Sequence, residues 1–238
     1  MSIVVVSGTG TEIGKTVVTA AVAAAAVAAG GTVAVLKPAQ TGLAPDERGD
    51  ADEVVRLSGA KTSAELARYP EPLAPGTAAR RARMPQVGAE EVAEAARALA
   101  AEHDLVLVEG AGGLLVRFDD EGGTLADAAR LLGAPVLVVA PAGLGTLNST
   151  ALTAEALRAR GIEQLGVVVG SWPAEPDLAA RCNLADLPEA ADAPLLGAVP
   201  EGSGSLDPAA FRAAASGWLA PALGGTWDAD AFTREAGA

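Results

Sequence analysis

The chain has 238 residues, of which half are hydrophobic and only 3% are aromatic, and its formal net charge is −13. This length is sufficient for one large domain whose core is built from Val, Leu, Ile and Ala. The acidic balance argues against a nucleic-acid-binding protein and against binding to an anionic membrane. One cysteine and one histidine exclude a disulfide framework and a Cys/His zinc site, so we expect a reducing compartment, the cytoplasm. We expect neither a signal peptide nor a spanning helix.

The first motif along the chain is a glycine-rich loop, Gly8–Thr16, between a strand and a helix. An apolar β-branched run, Ile3–Val6, precedes it, and an alanine-rich segment over residues 17–29 follows it. This order is typical of a phosphate-binding P-loop, in which Lys15 reaches the β- and γ-phosphates and the Thr16 hydroxyl binds Mg²⁺. The loop is one residue longer than the common motif. The alternative is a glycine-rich turn without a ligand.

A second buried strand is predicted over residues 32–36, and Pro38 is expected to stop it. Only three of the seventeen basic residues are lysines, and two of these, Lys15 and Lys37, directly follow strands. An ammonium differs chemically from a guanidinium, so these two lysines are candidates for chemistry. Because ligands bind at the carboxyl ends of parallel strands, Lys37 and Thr41 are expected to face the P-loop. The alternative is a lysine on a solvated rim.

Acidic residues follow at two positions that suit a metal ion. A short helix is predicted to begin at Asp50, although acidic residues at a helix start are often caps alone. Glu109 ends an apolar strand over residues 105–108 and precedes a glycine run, as a Walker-B carboxylate does. A carboxylate at the end of a buried strand needs a partner, and Mg²⁺ prefers oxygen ligands. Thr16, Glu109 and a carboxylate near Asp50 are therefore a candidate Mg²⁺ site.

The rest of the chain alternates between helices and strands. Further helices are predicted over residues 61–68, 88–102, 124–132, 150–160, 177–187 and 208–219. Further strands are predicted over residues 135–140, 165–169 and 195–199. Residues 69–78 are too rich in proline for regular structure, and the tail, residues 224–238, is expected to be loosely ordered. The loop before residue 150 is either a second anion site or simple helix capping.

This alternation predicts an α/β fold. We expect a single domain over residues 1–223, with a doubly wound, mainly parallel sheet and helices on both faces, like a P-loop NTPase.

Three motifs together resemble the dethiobiotin synthetase family, over residue 2 to about residue 218. They are Gly-Thr-x-Thr-x-x-Gly-Lys-Thr at Gly8–Thr16, Lys-Pro-x-x-Thr-Gly at Lys37–Gly42, and Glu-Gly-Ala-Gly-Gly at Glu109–Gly113. Each is moderately specific alone, and the three in order are highly specific. The resemblance implies an ATP-dependent cyclo-ligase of biotin biosynthesis. It would join CO₂ to 7,8-diaminononanoate through a carbamate and a carbamic–phosphoric anhydride, close the ring of dethiobiotin, and release ADP and phosphate.

The resemblance also implies residue roles. Lys37, Lys15 and Thr11 would be catalytic, and Thr16, Asp50 and Glu109 would bind Mg²⁺, with Asp50 preferred to Asp52 by register. The implied nucleotide-binding residues are Glu12, Ile13, Gly14, Lys15, Thr16, Val17, Asp50, Glu109, Gly170, Ser171, Pro200, Glu201 and Gly202. The implied substrate-binding residues are Thr41, Gly110, Ala111, Gly112, Gly113, Gly143, Leu144, Gly145, Thr146, Leu147 and Asn148. The family is a homodimer in which the loop beginning at Gly143 helps to hold the distal carboxylate of the substrate across the interface.

The chain departs from the family pattern at two positions. Many members have Asp where this chain has Gly10, which removes one polar contact near the phosphates. Many also have Asn where this chain has Gly170, and the asparagine amide reads the adenine edge. Since glycine has no side chain to do so, we expect weakened base selectivity, with another nucleoside triphosphate competing with ATP.

Two other functions on related folds are less consistent with the sequence. A partitioning ATPase, whose output is nucleotide-gated dimerisation, usually carries an additional lysine early in its P-loop, where this chain has Gly10. A glutamine-dependent amidoligase of corrin synthesis needs an amidotransferase domain and a Cys-His pair, for which this chain has no counterpart.

Overall fold

Residues 3–237 are described by the structure, a computed structural model. Seven strands form one sheet in the order β3-β2-β4-β1-β5-β6-β7, and every neighbouring pair is parallel. The strands are β1 (Ile3–Gly8), β2 (Val33–Thr41), β3 (Thr62–Tyr69), β4 (Leu105–Gly113), β5 (Val136–Ala140), β6 (Gln164–Trp172) and β7 (Leu195–Pro200). The predicted fold class is therefore confirmed.

Helices cover both faces of this sheet. They are α1 (Lys15–Ala28), α2 (Asp50–Ser58), α3 (Pro75–Ala82), α4 (Ala89–Ala100), α5 (Leu125–Leu132), α6 (Thr146–Ala159), α7 (Leu178–Ala191), α8 (Pro208–Ala214) and α9 (Ala229–Gly237). Along β1, Val4 and Val6 belong to the core beneath α1, α2 and α8, while Val5 belongs to the core beneath α4 and α5. This alternation is the period of two that a strand imposes on its side chains. Within residues 3–237, no helix has the length and hydrophobicity needed to cross a bilayer.

Several strands continue beyond their predicted ends, and the extensions of β2 and β4 bear on the site. Pro38 does not stop β2, which runs on to Thr41. The ladder between β2 and β4 ends at Leu36, so Pro38 lies where only β3 pairs with β2. β4 likewise continues through its glycines to Gly113, with an irregularity in its pairing with β1.

The prediction of a helix over residues 61–68 is wrong, because this segment is the edge strand β3. Its composition, rich in Ala, Glu, Leu and Arg, favours a helix, but pairing with β2 from Ala34 to Thr41 overrides that local preference. Residues 69–78 are also not irregular throughout. Helix α3 begins at Pro75, which occupies the first turn, where a proline is tolerated.

Helix α6 begins at Thr146, four residues earlier than predicted, so part of the predicted loop is its first turn. The predicted helix over residues 208–219 is shorter than expected. It ends at Ala214 and continues as a 3₁₀ turn to Trp218.

The chain end differs from the expectation of a loose tail. Helix α9 spans Ala229–Gly237, and Trp227 just before it is 7% exposed. The Phe232 ring lies 5.4 Å from the ring of Trp172 and 5.3 Å from that of Trp227. Aromatic rings bury large apolar areas and favour edge-to-face contacts, so these three rings attach the helix to the end of β6.

We expect Phe232→Ala to lower the free energy of unfolding by about 1–2 kcal/mol, since the ring is only partly buried. For a chain of this size that corresponds to a decrease of about 3–6 °C in the melting temperature, measurable by thermal denaturation. Glu235→Ala on the exposed side of α9 is the control and should leave the melting temperature unchanged. Equal melting temperatures for the wild type and Phe232→Ala would mean that α9 is not attached by its aromatic residues.

Candidate active site

A cleft of about 850 Å³ opens at the carboxyl edge of the sheet, where β2, β4 and β1 are neighbours. It is bordered by the loop after β1, the end of β2, the end of β4 and the start of α2. The candidate site residues that line it are Thr11, Glu12, Ile13, Gly14, Lys15, Thr16, Val17, Lys37, Thr41, Asp50, Glu109, Ala111 and Gly112. Residues from three separate motifs thus share one cavity.

The glycine-rich loop adopts backbone angles that suit an anion site. Gly14, the N-cap residue of α1, has a φ of 90°, which glycine adopts without strain, and it lines the cleft. The helix provides unpaired N–H groups and the positive end of its dipole at this point. The buried Lys15 ammonium donates to the carbonyl oxygen of Gly10 at 2.7 Å. Burial lowers the pKa of Lys15, and the positive charge of Lys37 lowers it further.

Lys37 is held between two carboxylates. Its ammonium lies 2.8 Å from Glu109 Oε1 and 2.6 Å from Asp50 Oδ2, and it donates to the carbonyl oxygen of Gly110 at 3.1 Å. An ammonium has three protons, and these three acceptors engage all of them. Lys37 is 3% exposed and Glu109 is 1% exposed, whereas the Asp50 side chain is 37% exposed.

The two carboxylates keep Lys37 charged. Burial alone lowers the pKa of Lys37, but the negative charges of Glu109 and Asp50, with their hydrogen bonds, outweigh it and raise that pKa above the ordinary value. Lys15 differs, because within residues 3–237 no carboxylate forms an ion pair with it, and its pKa is lowered.

The Glu109 carboxylate also contacts the glycine-rich loop. Thr16 donates its hydroxyl proton to Glu109 Oε1 at 2.9 Å. The second oxygen, Oε2, is buried and accepts no hydrogen bond within the described chain. A buried oxygen without a partner costs free energy, and a hard cation can relieve that cost. The chemistry of Thr16, Asp50 and Glu109 thus suits Mg²⁺.

The structure separates the two aspartates that the sequence left as alternatives. Asp50 is the first residue of α2 and faces the cleft. Asp52 is exposed and accepts a hydrogen bond from Ser63 at 3.2 Å. The geometry thus favours Asp50 over Asp52 as a metal ligand.

The glycines after Glu109 serve different purposes. A Cβ on Gly110 would lie 2.5 Å from the Leu125 side chain, so this glycine allows the strand to pack on α5. Gly112 has a φ of 77°, and a Cβ there would lie 3.4 Å from the Thr11 hydroxyl. Gly112 and Ala111 line the cleft, while Gly110 and Gly113 do not.

The candidate substrate residues 143–148 follow β5, on the far side of the β1 loop from Lys37, and do not line the cleft within this chain. Leu144 is 94% exposed, and Leu152 on α6 is also exposed. The backbone at the start of this loop is held by α7. The buried Asn183 donates to the carbonyl oxygens of Ala142 and Gly143 at 2.7 and 3.0 Å.

The candidate base-binding residues lie at the ends of β6 and β7, beside the glycine-rich loop. A Cβ on Gly170 would be 2.0 Å from the carbonyl oxygen of Ile13 and 2.6 Å from Val139. Gly170 is therefore a point of close backbone approach, and the loop would have to move to admit any side chain. Ser171, Pro200, Glu201 and Gly202 are exposed beside it and outside the cleft.

Sequence reasoning missed two supporting residues, Gln40 and Asn183. Both are buried amides, and each contacts a backbone group of another element, Gln40 at Asp50 and Asn183 at Ala142. A buried amide needs such partners, but the sequence does not show which backbone groups provide them.

Comparisons with known proteins agree with the motifs. A family model described as an AAA domain matches residues 3–208. Over 232 residues the chain is 75% identical to the ATP-dependent dethiobiotin synthetase of Streptomyces avermitilis, covering 98% of both chains. It is 73% identical over 232 residues to the enzyme of the same name from Streptomyces coelicolor, again covering 98% of both.

Among solved structures, the chain resembles a ParA family ATPase from Chlorobium tepidum. The TM-score is 0.57 at 11% sequence identity, and the alignment covers 94% of this chain and 96% of that one. This likeness shows a shared fold alone.

The contacts of Lys37 predict that removing Lys37 alone destabilises the protein more than removing Lys37 together with the charge of Glu109. Lys37→Met leaves the buried Glu109 and the nearby Asp50 without a cation, which should lower the free energy of unfolding by about 2–3 kcal/mol. The decrease arises mainly at the buried Glu109, because Asp50 is partly exposed to water. The double variant Lys37→Met/Glu109→Gln should recover part of it, as measured by denaturant unfolding. A double variant less stable than Lys37→Met would contradict the pairing.

Proposed function

This chain belongs to the family of ATP-dependent dethiobiotin synthetases, and we propose that the side chains around Lys37 carry out the chemistry of that family. The enzyme is an ATP-dependent ligase that makes dethiobiotin in biotin biosynthesis. The observation that carries the residue assignment is the Lys37 ammonium, enclosed in the same cleft as the phosphate-binding loop and held by two carboxylates. We propose the cytoplasm as its location, from the single cysteine.

The proposed reaction has three steps. One amine of 7,8-diaminononanoate attacks CO₂, loses a proton and becomes a carbamate. A carbamate oxygen then attacks the γ-phosphorus of ATP, and ADP leaves with the electrons of the broken bond. The second amine attacks the carbonyl carbon of the resulting anhydride and loses a proton, phosphate leaves, and the five-membered ureido ring closes.

Lys37 has the charge and position to hold the carbamate and the transferred phosphoryl group together. All three of its protons are engaged, so binding a substrate oxygen requires the ammonium to release one acceptor. Asp50 is the acceptor most open to water, whereas Glu109 is buried, and Asp50 is therefore the one we expect to be exchanged. A positioned cation in a cleft with little water stabilises developing negative charge strongly.

Lys15 and Thr11 complete the proposed catalytic set from the phosphate side. Lys15 donates to the carbonyl of Gly10, within the loop that would wrap the phosphates, and can exchange this acceptor for a γ-phosphate oxygen. Thr11 lies opposite Gly112, between the loop and the glycines of β4. Its hydroxyl can donate to an oxygen that passes between the carbamate and the phosphate.

Thr16, Asp50 and Glu109 are the residues that would hold Mg²⁺. Two carboxylates and one hydroxyl are few ligands for a metal ion. Within residues 3–237, no group of three or more Asp, Glu, His or Cys residues is arranged to hold one. Mg²⁺ commonly uses one or two carboxylates and takes its other ligands from phosphates and water. When bound, the ion would neutralise phosphate charge during transfer.

The diamine would lie along β2 and the end of β4. Thr41 is four residues beyond Lys37 on the same face of β2, and both line the cleft. The backbone from Gly110 to Gly113 would flank the carbamate. We propose a homodimer in which the loop from Gly143 to Asn148 reaches the distal carboxylate of the substrate bound to the partner. The exposed Leu144 and Leu152 support an interface at this loop.

The direct test is to incubate the protein with ATP, Mg²⁺, bicarbonate and 7,8-diaminononanoate. We expect phosphate release that depends on the diamine, with an equal amount of dethiobiotin detected by mass spectrometry. Lys37→Ala should bind nucleotide normally but turn over at least about 100-fold more slowly, because losing one positioned charge costs about 3 kcal/mol in the transition state.

The matched control for that test is Lys61→Ala. Lys61 is the third lysine, is exposed and lies outside the cleft, so its removal should leave turnover unchanged. Unchanged turnover in Lys37→Ala would remove Lys37 from the mechanism. ATP hydrolysis indifferent to the diamine would instead indicate a switch ATPase.

Base selectivity is expected to be weak because Gly170 offers no side chain to the nucleotide base. In competition assays, CTP and GTP should reduce ATP use at concentrations within about tenfold of the ATP concentration. The binding free energies of the three nucleotides would then differ by no more than about 1.4 kcal/mol. A strong preference for ATP over both would show that another group reads the adenine.

A further inference from the structure

Helix α2 begins without a cap of its own. Its N-cap residue is Gly49, which has no side chain to accept a hydrogen bond from the first turn. The Asp50 amide instead donates to Gln40 Oε1, at 2.9 Å, on the neighbouring strand β2. Gln40 is only 5% exposed, so this amide oxygen is fixed within the protein. A side chain ten residues earlier in the chain thus caps the helix.

The same hydrogen bond sets the position of a site carboxylate. Asp50 reaches Lys37 with its side chain at 2.6 Å while its backbone is held by Gln40. Lys37 and Gln40 are both on β2, three residues apart. One strand therefore carries the cation of the site and also the anchor for its more exposed carboxylate.

A second contact holds the loop that leads to Asp50. Arg68 on the edge strand β3 pairs with Glu65 through two hydrogen bonds of 2.8 Å. The Arg68 guanidinium also donates to the carbonyl oxygens of Ala44 and Glu47. A Cβ on Gly49 would lie 2.1 Å from Glu65 Oε1, so the loop packs directly on this ion pair. The ion pair limits movement of the loop, and Gln40 holds the end of the loop where α2 begins.

We propose that Gln40 is a positioning residue. It holds Asp50 at the distance from Glu109 at which both carboxylates can bind the same Mg²⁺ ion. The inference rests on the proposed role of Asp50 as a ligand of Mg²⁺. Gln40 itself need not touch the metal or the substrate. Partners that orient a metal ligand typically change metal affinity or activity by about 10–100-fold when they are removed.

The test uses Gln40→Met, which keeps the side-chain length but removes the acceptor. We expect the Mg²⁺ concentration that half-saturates binding of a non-hydrolysable ATP analogue to rise about tenfold. Binding of the analogue at saturating Mg²⁺ should be within about twofold of the wild type. Hydrogen exchange at the first turn of α2 should be faster, because the Asp50 amide has lost its acceptor.

Two variants serve as controls. Gln86→Met removes the same kind of contact, since Gln86 Oε1 accepts from the Asp120 amide at 3.1 Å outside the cleft, and it should leave the Mg²⁺ requirement unchanged. Gln40→Glu retains an acceptor oxygen and should preserve slow exchange at the start of α2.

Two outcomes would overturn the proposal. Unchanged exchange in Gln40→Met would mean that Gln40 does not hold Asp50. Faster exchange with an unchanged Mg²⁺ requirement would limit Gln40 to stabilising the helix. Both measurements omit the diamine, so they are independent of dethiobiotin formation, on which the proposed function is tested.

Discussion

The site depends on one buried cation shared by two carboxylates. A charge as deeply buried as that of Lys37 is costly unless it is paired and fully hydrogen-bonded, and Glu109, Asp50 and the Gly110 carbonyl meet that requirement. The dependence is mutual, because Glu109 is also buried and its partners are Lys37 and Thr16. Removing Lys37 or Glu109 leaves the other buried charge with a weaker set of partners. The Lys37–Glu109 ion pair and the Thr16–Glu109 hydrogen bond therefore link β2, β4 and the end of the glycine-rich loop.

The topology of the sheet makes this pairing possible. The central order β2-β4-β1 brings the carboxyl ends of three strands side by side, although their motifs are separated by up to about a hundred residues of chain. Parallel strands all end at the same edge, so each contributes its terminal side chain to one cleft. The more distant strands β5, β6 and β7 lie on the other side of β1, and Gly170 at the end of β6 closely approaches Ile13 of the glycine-rich loop.

Most of the fold followed from local patterns, and the errors occurred where distant contacts decide the outcome. Residues 61–68 have a helical composition but form an edge strand, because β2 offers an open edge to pair with. The tail looked unpatterned because Phe232 finds its partners, Trp172 and Trp227, only in the folded chain. The positions of Lys37, Glu109 and Asp50 in the cleft were predictable, since each directly follows a predicted strand or starts a predicted helix. Gln40 and Asn183 were not, because their partners are backbone groups that no side-chain pattern reveals.

The chain has only three lysines, which allows the charge on Lys37 to be measured directly. Selective ¹³C labelling of lysine gives one side-chain resonance each for Lys15, Lys37 and Lys61, which single substitutions can assign. In a pH titration followed by NMR, Lys37 should remain protonated through the ordinary lysine pKa of about 10.4, since its two carboxylate partners raise its pKa. Lys15 should lose its proton below that value, because burial and the charge of Lys37 lower its pKa. Loss of the Lys37 proton at or below the ordinary value would contradict the carboxylate pairing on which the site depends.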